Sequence, residues 1–408
     1  MTLLAKPSRK DVMLSSTGPS EPRTAGGAAS AASQATTIGF DALIYAWPPG
    51  GIATYQTGLM AGLRAQGDVE IAFAGGYAGD PSFGEVPGLT RSAIRQRHAL
   101  FALNMARSAR LSSDIHHLTA FWRPPGLRAK RVVLTIHDMI PERLGEDYPG
   151  VRHTHYDKAS LAAQADAVVC PAESVRADVI ELLKLPPDRV FTVPHGRPDK
   201  IAPAPGSTFE SEAGGFVLIV GRRGHYKNFL GVLPGLAPAL RRTGLSLVCA
   251  GGGPFTAEER AALNATGIAG AAAQLALSPA ELAAAYTNAF CVLAPSKAEG
   301  FGLPLLEAMT YGAPVIAADI AVKRETGGDA VLWCDPAEPE AWGEALQRLA
   351  DDPALRARLS AAGPGQAEAF WAAQAARAAP PTHRAPAPPR RPAGPRRRSP
   401  PGPRGRPG

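Results

Sequence analysis

Three apolar runs, each closed by glycine, constrain the fold of this chain more than any other feature. Residues 216–220 run into Gly221, residues 245–250 into Gly251-Gly252-Gly253, and residues 289–294 into a loop holding Gly300 and Gly302. Apolar runs of this length, broken only by Ser246 in the second, read as strands buried on both faces, the environment of a parallel sheet. Residues 38–46 and the β-branched stretch 131–136 repeat the theme nearer the amino terminus. Helical stretches alternate with these strands, which predicts α/β architecture with doubly wound parallel sheets. A length of 408 residues allows two to three such domains.

The third run leads into Glu-Gly-Phe-Gly-Leu-Pro-Leu-Leu-Glu, bounded by Glu299 and Glu307. Gly300 and Gly302 let the backbone turn and approach a ligand. Pro304 suits a first helical turn, and Gly312-Ala313-Pro314 marks the helix end. Strand, glycine turn and helix start together make an anion site, because free amides and the helix dipole face outward. The two carboxylates flank that site. Carboxylates repel phosphate but accept hydrogen bonds from sugar hydroxyls. A ligand ordered sugar, diphosphate, ribose satisfies both ends, so the pattern points to a nucleotide-sugar. Outside this strand–turn–helix context the two glutamates would read first as solvated surface carboxylates.

At these residues the chain resembles the retaining GT-B glycosyltransferases of family 4, whose signature has the Glu-x7-Glu spacing seen in SKAEGFGLPLLEAMTYGAPVIA. The resemblance implies two Rossmann-like domains facing each other across a cleft. It implies that Glu299 contacts hydroxyls of the transferred sugar and Glu307 the nucleotide ribose. The amides of Phe301, Gly302 and Leu303 would approach donor sugar and phosphate. Upstream, Gly221-Arg222-Arg223-Gly224-His225-Tyr226-Lys227-Asn228-Phe229 resembles the family's cationic turn, in which Lys227 and one arginine bind the diphosphate. Arg222 matches the commoner spacing and Arg223 a subgroup, so the arginine stays open between them. Gly251 and Gly252 resemble the loop beside the nucleotide base.

In the amino-terminal half, Gly50 and Gly51 resemble a loop reaching the diphosphate and acceptor. His137-Asp138-Met139-Ile140-Pro141-Glu142 resembles T-x-H-D-x-x-P-E. His137, where a parallel strand meets its loop, occupies the active-site position of an open α/β sheet, and Asp138 orders that loop. His195-Gly196 reads as the structural end of the first domain. Expected catalytic residues are therefore His137, Glu299, Lys227 and Arg222. The resemblance implies transfer of a sugar, mannose among those it allows, from a GDP- or UDP-linked donor to a glycan or lipid-linked acceptor hydroxyl in cell-surface polysaccharide synthesis. No metal or other cofactor is expected, as no Asp-x-Asp occurs. Rival readings are a nucleotide-sugar epimerase of the same fold and a catalytically weakened nucleotide-sugar-binding protein.

The overall charge of +7 misleads. Residues 380–408 hold eight Arg, eleven Pro and no acidic residue, and without them 35 basic face 36 acidic groups. That tail cannot build a core, and its charge allows only non-specific attraction to anionic surfaces, whether lipid or nucleic acid. The family's terminal helix begins at Ala369-Phe370-Trp371-Ala372, then meets Pro380-Pro381. Such an abrupt change is what a shifted reading frame in a high-GC gene produces. The expected segments are a disordered leader 1–36, an acceptor-side domain 37–200, a linker 201–213, a donor-side domain 214–371 and a disordered tail 372–408. The four cysteines lie in or beside apolar segments without CxxC spacing, as reduced buried thiols do. With no run of eighteen apolar residues and no secretory h-region, the expectation is a cytoplasmic protein, peripheral at most to the inner face of a membrane.

Overall fold

The structure, a computed structural model, describes residues 35–46, 51–67, 69–74, 94–145, 148, 158–197, 200–203 and 215–378. Two six-stranded sheets, all parallel, lie in one structural unit that starts at Thr36. The first runs in the order β2-β1-β3-β4-β5-β6, from β1 (Thr36–Asp41), β2 (Val69–Ala74), β3 (Ser112–Leu118), β4 (Arg128–Thr135), β5 (Ala167–Cys170) and β6 (Val190–Thr192). The second runs β12-β11-β10-β7-β8-β9, from β7 (Phe216–Val220), β8 (Ser246–Ala250), β9 (Ala272–Leu275), β10 (Cys291–Ala294), β11 (Val315–Ala318) and β12 (Val331–Cys334). The doubly wound α/β expectation holds. The chain reverses its direction of growth between β1 and β3 in one sheet and between β7 and β10 in the other. Such switch points open a crevice at the carboxyl ends of the strands.

Local sequence explains several helix starts. Thr256 and Ser278 each form a capping box, with Glu259 and Glu281, at the starts of α7 (Ala257–Ala265) and α8 (Pro279–Asn288). Before α9 (Leu303–Thr310), Gly302 takes φ +87°, a left-handed conformation that other residues adopt only at a cost. The first strand is shorter than residues 38–46. Asp41 accepts the Leu43 N–H at 3.0 Å, and that turn diverts residues 43–46 into a 3-10 helix.

The second lobe's core is set by a close helix crossing. Helix α6 (Phe229–Thr243) packs on α11 (Pro339–Asp351) around buried Val232, Leu236, Trp342 and Leu346. Each such apolar side chain contributes about 1.5–3 kcal/mol on burial. The crossing needs two glycines, since a Cβ on Gly343 would sit 2.0 Å from the Gly235 carbonyl oxygen. Gly343→Ala should therefore cost about 1–3 kcal/mol by forcing the helices apart. Urea unfolding would show it, and an unchanged midpoint would mean the crossing tolerates extra volume.

The carboxyl-terminal helix corrects a sequence boundary. Helix α12 runs from Pro353 to Ala378, seven residues beyond the expected domain end at 371. Its Ala-rich continuation, 372–378, carries no proline, so nothing local stops it. Phe370 and Trp371 are buried, and Glu368 pairs with Arg197 at 2.7 Å, which ties the helix to the segment leaving β6. Two more contacts join the lobes. Glu325 of α10 (Ala321–Gly327) accepts the Glu173 and Ser174 N–H groups at the start of α5 (Glu173–Leu183), and the Tyr311 hydroxyl meets the backbone of Ile201 at 3.0 Å. The leader before residue 35, the linker from 204 and the tail after 378 lie outside the described residues.

Candidate active site

The switch point of the second sheet meets the loop after β4 of the first through backbone contact. A Cβ on Gly300 would lie 2.0 Å from the carbonyl oxygen of His137 and 3.2 Å from Asp138 Cβ. Glycine is thus the only residue that lets the loop after β10 reach the loop after β4. On the first-lobe side, His137 is buried and its Nε2 donates to the Thr119 carbonyl at 2.9 Å, an acceptor-only partner that fixes the tautomer. Its Nδ1 then carries a lone pair. Burial holds its pKa below the usual histidine value. Tyr55 of α1 (Gly51–Gln66) meets the His137 ring edge-on at 5.0 Å and the His195 ring at 4.9 Å. Burial pushes His195 down to about 3, and His117, whose Nε2 lies 2.8 Å from Thr135 Oγ1, to about 3 as well. The ring cluster between the lobes is therefore neutral near pH 7. It continues through Phe301, stacked on His195 at 4.9 Å, to Phe370 and Trp371.

Across the crevice, Lys227 ends a 3-10 turn after β7 and places its Nζ 2.7 Å from Glu299 Oε1. Both are partly exposed, so the pair opens to the cleft. The Lys297 N–H donates to the Tyr226 carbonyl at 2.7 Å, holding the two loops together. Tyr226 stacks with Tyr148 at 6.0 Å, and burial, with Glu299 and Asp138 nearby, raises its pKa.

The structure separates the two arginines that the sequence left open. Arg223 is buried, bound to Glu259 at 3.0 Å and to the Gly251 and Gly253 carbonyls at 2.9 and 2.8 Å. It struts the glycine loop from behind. Arg222 is exposed on the same turn. Gly251 and Gly252 have φ +81° and +72°, and a Cβ on Gly252 would meet the Gly221 carbonyl oxygen at 2.7 Å, so this loop packs directly on the cationic turn.

Glu307 lies one turn into α9, where its Oε2 accepts the Tyr286 hydroxyl at 2.8 Å. Burial raises its pKa while the tyrosine bond opposes the rise. It lines a cavity of about 220 Å³ with Leu277, Leu282, Tyr286, Arg197 and Lys200. Leu303 opens α9, and Gly51 opens α1 with free space where a Cβ would be. Gly50 lies outside the described residues.

Several residues here were not singled out from the sequence. Tyr55 follows Gly51 by one helical turn, a spacing that places both toward one end of α1. Tyr286 gave no signal. Two lysines gave none either, since a lone lysine reads as surface. Lys158 is buried on α4 (Lys158–Gln164) and donates to the Asp138 carbonyl at 2.8 Å and to Glu142 at 2.9 Å, fixing the loop that carries His137. Lys323 does comparable work under the other loop.

A Glycosyltransferase Family 4 model matches residues 49–200 and a Glycosyl transferases group 1 model residues 205–366. With these two domains on two parallel sheets, the chain is a glycosyltransferase of the GT-B type. It is 29% identical over 270 residues to O-antigen chain mannosyltransferase B of Escherichia coli, covering 63% of this chain and 70% of that protein. Its fold matches sucrose-phosphate synthase from Thermosynechococcus elongatus with a TM-score of 0.64 at 18% identity, covering 84% of this chain and 96% of the other. Anabaena HepE, solved in complex with UDP-glucose, matches with a TM-score of 0.60 at 15% identity, covering 84% and 99%.

Proposed function

We propose that the protein transfers a sugar from a nucleoside-diphosphate-sugar to a glycan or lipid-linked acceptor hydroxyl, with retention of anomeric configuration and without a metal ion. The observation that carries this reading is the Lys227–Glu299 pair, 2.7 Å apart at the switch point of the second sheet, beside the Gly300 contact with His137. Lys227 has three N–H donors and Glu299 takes one, so two remain for a diphosphate. Arg222 adds a second positive charge on the same turn. Together they would stabilise the charge that develops as the nucleoside diphosphate leaves. Glu307, fixed by Tyr286, would accept the ribose hydroxyls, with the nucleoside in the neighbouring cavity. Glu299 and the amides of Phe301 to Leu303 would hold the sugar.

Among the described residues, Glu299 and Asp138 are carboxylates near this centre; Lys227 holds the first at 2.7 Å and Lys158 lies 3.5 Å from the second. Neither of these two carboxylates is unpaired, which argues against an enzyme nucleophile. The reaction is therefore read as a same-face, ion-pair-like displacement, in which the leaving phosphate helps to deprotonate the acceptor. Neutral His137 would contact the sugar through Nδ1 or its neighbouring backbone. Contact between the lobes at Gly300 would exclude water and limit hydrolysis. The mannosyltransferase relative makes mannose a candidate sugar and surface polysaccharide a candidate product.

Among the described residues, no helix is long and apolar enough to cross a membrane. The four free, buried cysteines fit a reducing compartment, so the cytoplasm is the proposed site of action, with any membrane contact peripheral. The test is a thermal-shift screen of GDP- and UDP-sugars, since a bound donor stabilises the fold by mass action. Transfer from the donor so found should persist in excess EDTA. Activity lost in chelator and restored by magnesium or manganese would refute the metal-free mechanism. A stabilising donor that is never turned over would favour a binding protein instead.

A further inference from the structure

Lys323 lies beneath the donor-side loop and belongs to no motif read in the sequence. It is 1% exposed on α10. Its Nζ donates to the Ala294 carbonyl at 2.5 Å, where β10 ends, and to the Ser296 carbonyl at 3.0 Å. Its stem runs under the turn, with Cγ 3.9 Å from where a Cβ on Gly302 would sit. One side chain thus spans the loop from the end of β10 to the start of α9, and Glu299 sits on that span.

The charges around it support a role toward the cleft. Glu299, on the loop above, draws the ammonium toward the charged state, while burial and the Lys227 charge push its pKa down to about 7. Charged neighbours on its own helix face elsewhere. Arg324 holds Asp319 at 2.6 Å, and Glu325 holds the start of α5. On α9, Glu307 is bound by Tyr286. The amine itself is aimed at the Ala294 and Ser296 carbonyls, and Glu299 and Lys227 are the charges that act on it.

Stability alone is a poor account of such a residue. A desolvated ammonium is costly, and a neutral donor would meet the same carbonyls without burying a charge. We propose that Lys323 is a positioning residue for the donor: it bridges the Ala294 and Ser296 carbonyls and braces Gly302, and so sets the height of the loop that presents Glu299 and the amides of Phe301 to Leu303. This inference rests on the glycosyltransferase reading above. It adds a residue that touches neither sugar nor phosphate and acts through the loop.

Lys323→Met, which keeps the stem and removes the ammonium, tests it. The expected result is a fall in kcat of about 10- to 100-fold, the scale of a displacement near 1 Å at a reacting centre, with a melting temperature lowered only slightly, because relief of the buried charge offsets the two carbonyls left without a donor. Lys323→Gln retains N–H donors without charge and should recover part of the loss. It also serves if the methionine variant does not fold. Transfer within about twofold of the parent in both variants would overturn the inference. So would a melting temperature and an activity that fall in parallel, the mark of a merely structural lysine. Failure of the parent protein itself to bind or turn over any GDP- or UDP-sugar would instead strike the glycosyltransferase reading, and this inference with it.

Discussion

Glu299→Ala should lower sugar transfer by about 10- to 150-fold, equivalent to the 1.5–3 kcal/mol of one charged hydrogen bond, while leaving affinity for free nucleoside diphosphate intact or improved. The reason is its partner. Lys227 gives one N–H to Glu299 at 2.7 Å, and removing the carboxylate frees that donor for phosphate. Glu307 should behave in the opposite way. Its carboxylate faces the cavity beside α8, so Glu307→Ala should weaken the free nucleotide itself by a similar energy. Alanine there also strands the buried Tyr286 hydroxyl, which adds a stability loss of about 1–3 kcal/mol. Glu307→Gln, which keeps an acceptor for the tyrosine, separates that loss from the binding effect. Calorimetry with GDP and UDP, set beside steady-state transfer rates, gives the comparison. Equal effects of Glu299→Ala and Glu307→Ala on free nucleotide would contradict the division of roles.

Gly300→Ala should reduce turnover about 100-fold or more while the fold survives. The added methyl would lie 2.0 Å from the His137 carbonyl oxygen, which is main chain and cannot rotate away. Relief requires the loop after β10 to retreat from the loop after β4, on the order of 1 Å, and a shift of that size at a reacting centre accounts for the loss. Each lobe keeps its own sheet, and the added methyl removes no buried apolar side chain, so the melting temperature should change little. Gly58→Ala is the control, because a Cβ there meets nothing within 4 Å and its position in α1 favours alanine. A Gly300→Ala enzyme with parental kcat would show that the lobes need not approach this closely during catalysis.

Some of this was legible because it depends on neighbours in the chain. Strand β7 was read at the residues it occupies, and β8 and β10 to within two, because buried parallel strands need near-continuous apolar runs whatever surrounds them. The left-handed turn at Gly302 and the first-turn Pro304 follow from backbone sterics alone. Helix α12 shows the limit of that reasoning. Pro380-Pro381 and the arginine-rich tail drew attention to a break, yet seven more helical residues follow the apolar pair that packs on Phe301.

The sequence by itself determined the doubly wound class and the segments from which Lys227, Glu299, Glu307 and His137 come, since strand periodicity and turn chemistry are local. Only the tertiary structure decided which side chains meet. Lys227 and Glu299 are 72 residues apart, and Arg223 and Glu259 are 36 apart. Arg222 and Arg223 are adjacent and chemically alike, yet packing buries one against the glycine loop and leaves the other exposed. Lys158 and Lys323 read as surface residues until the carbonyls of distant loops supply their acceptors. Burial and hydrogen-bond partners are properties of the assembled chain, because they depend on contacts between segments that no local pattern records.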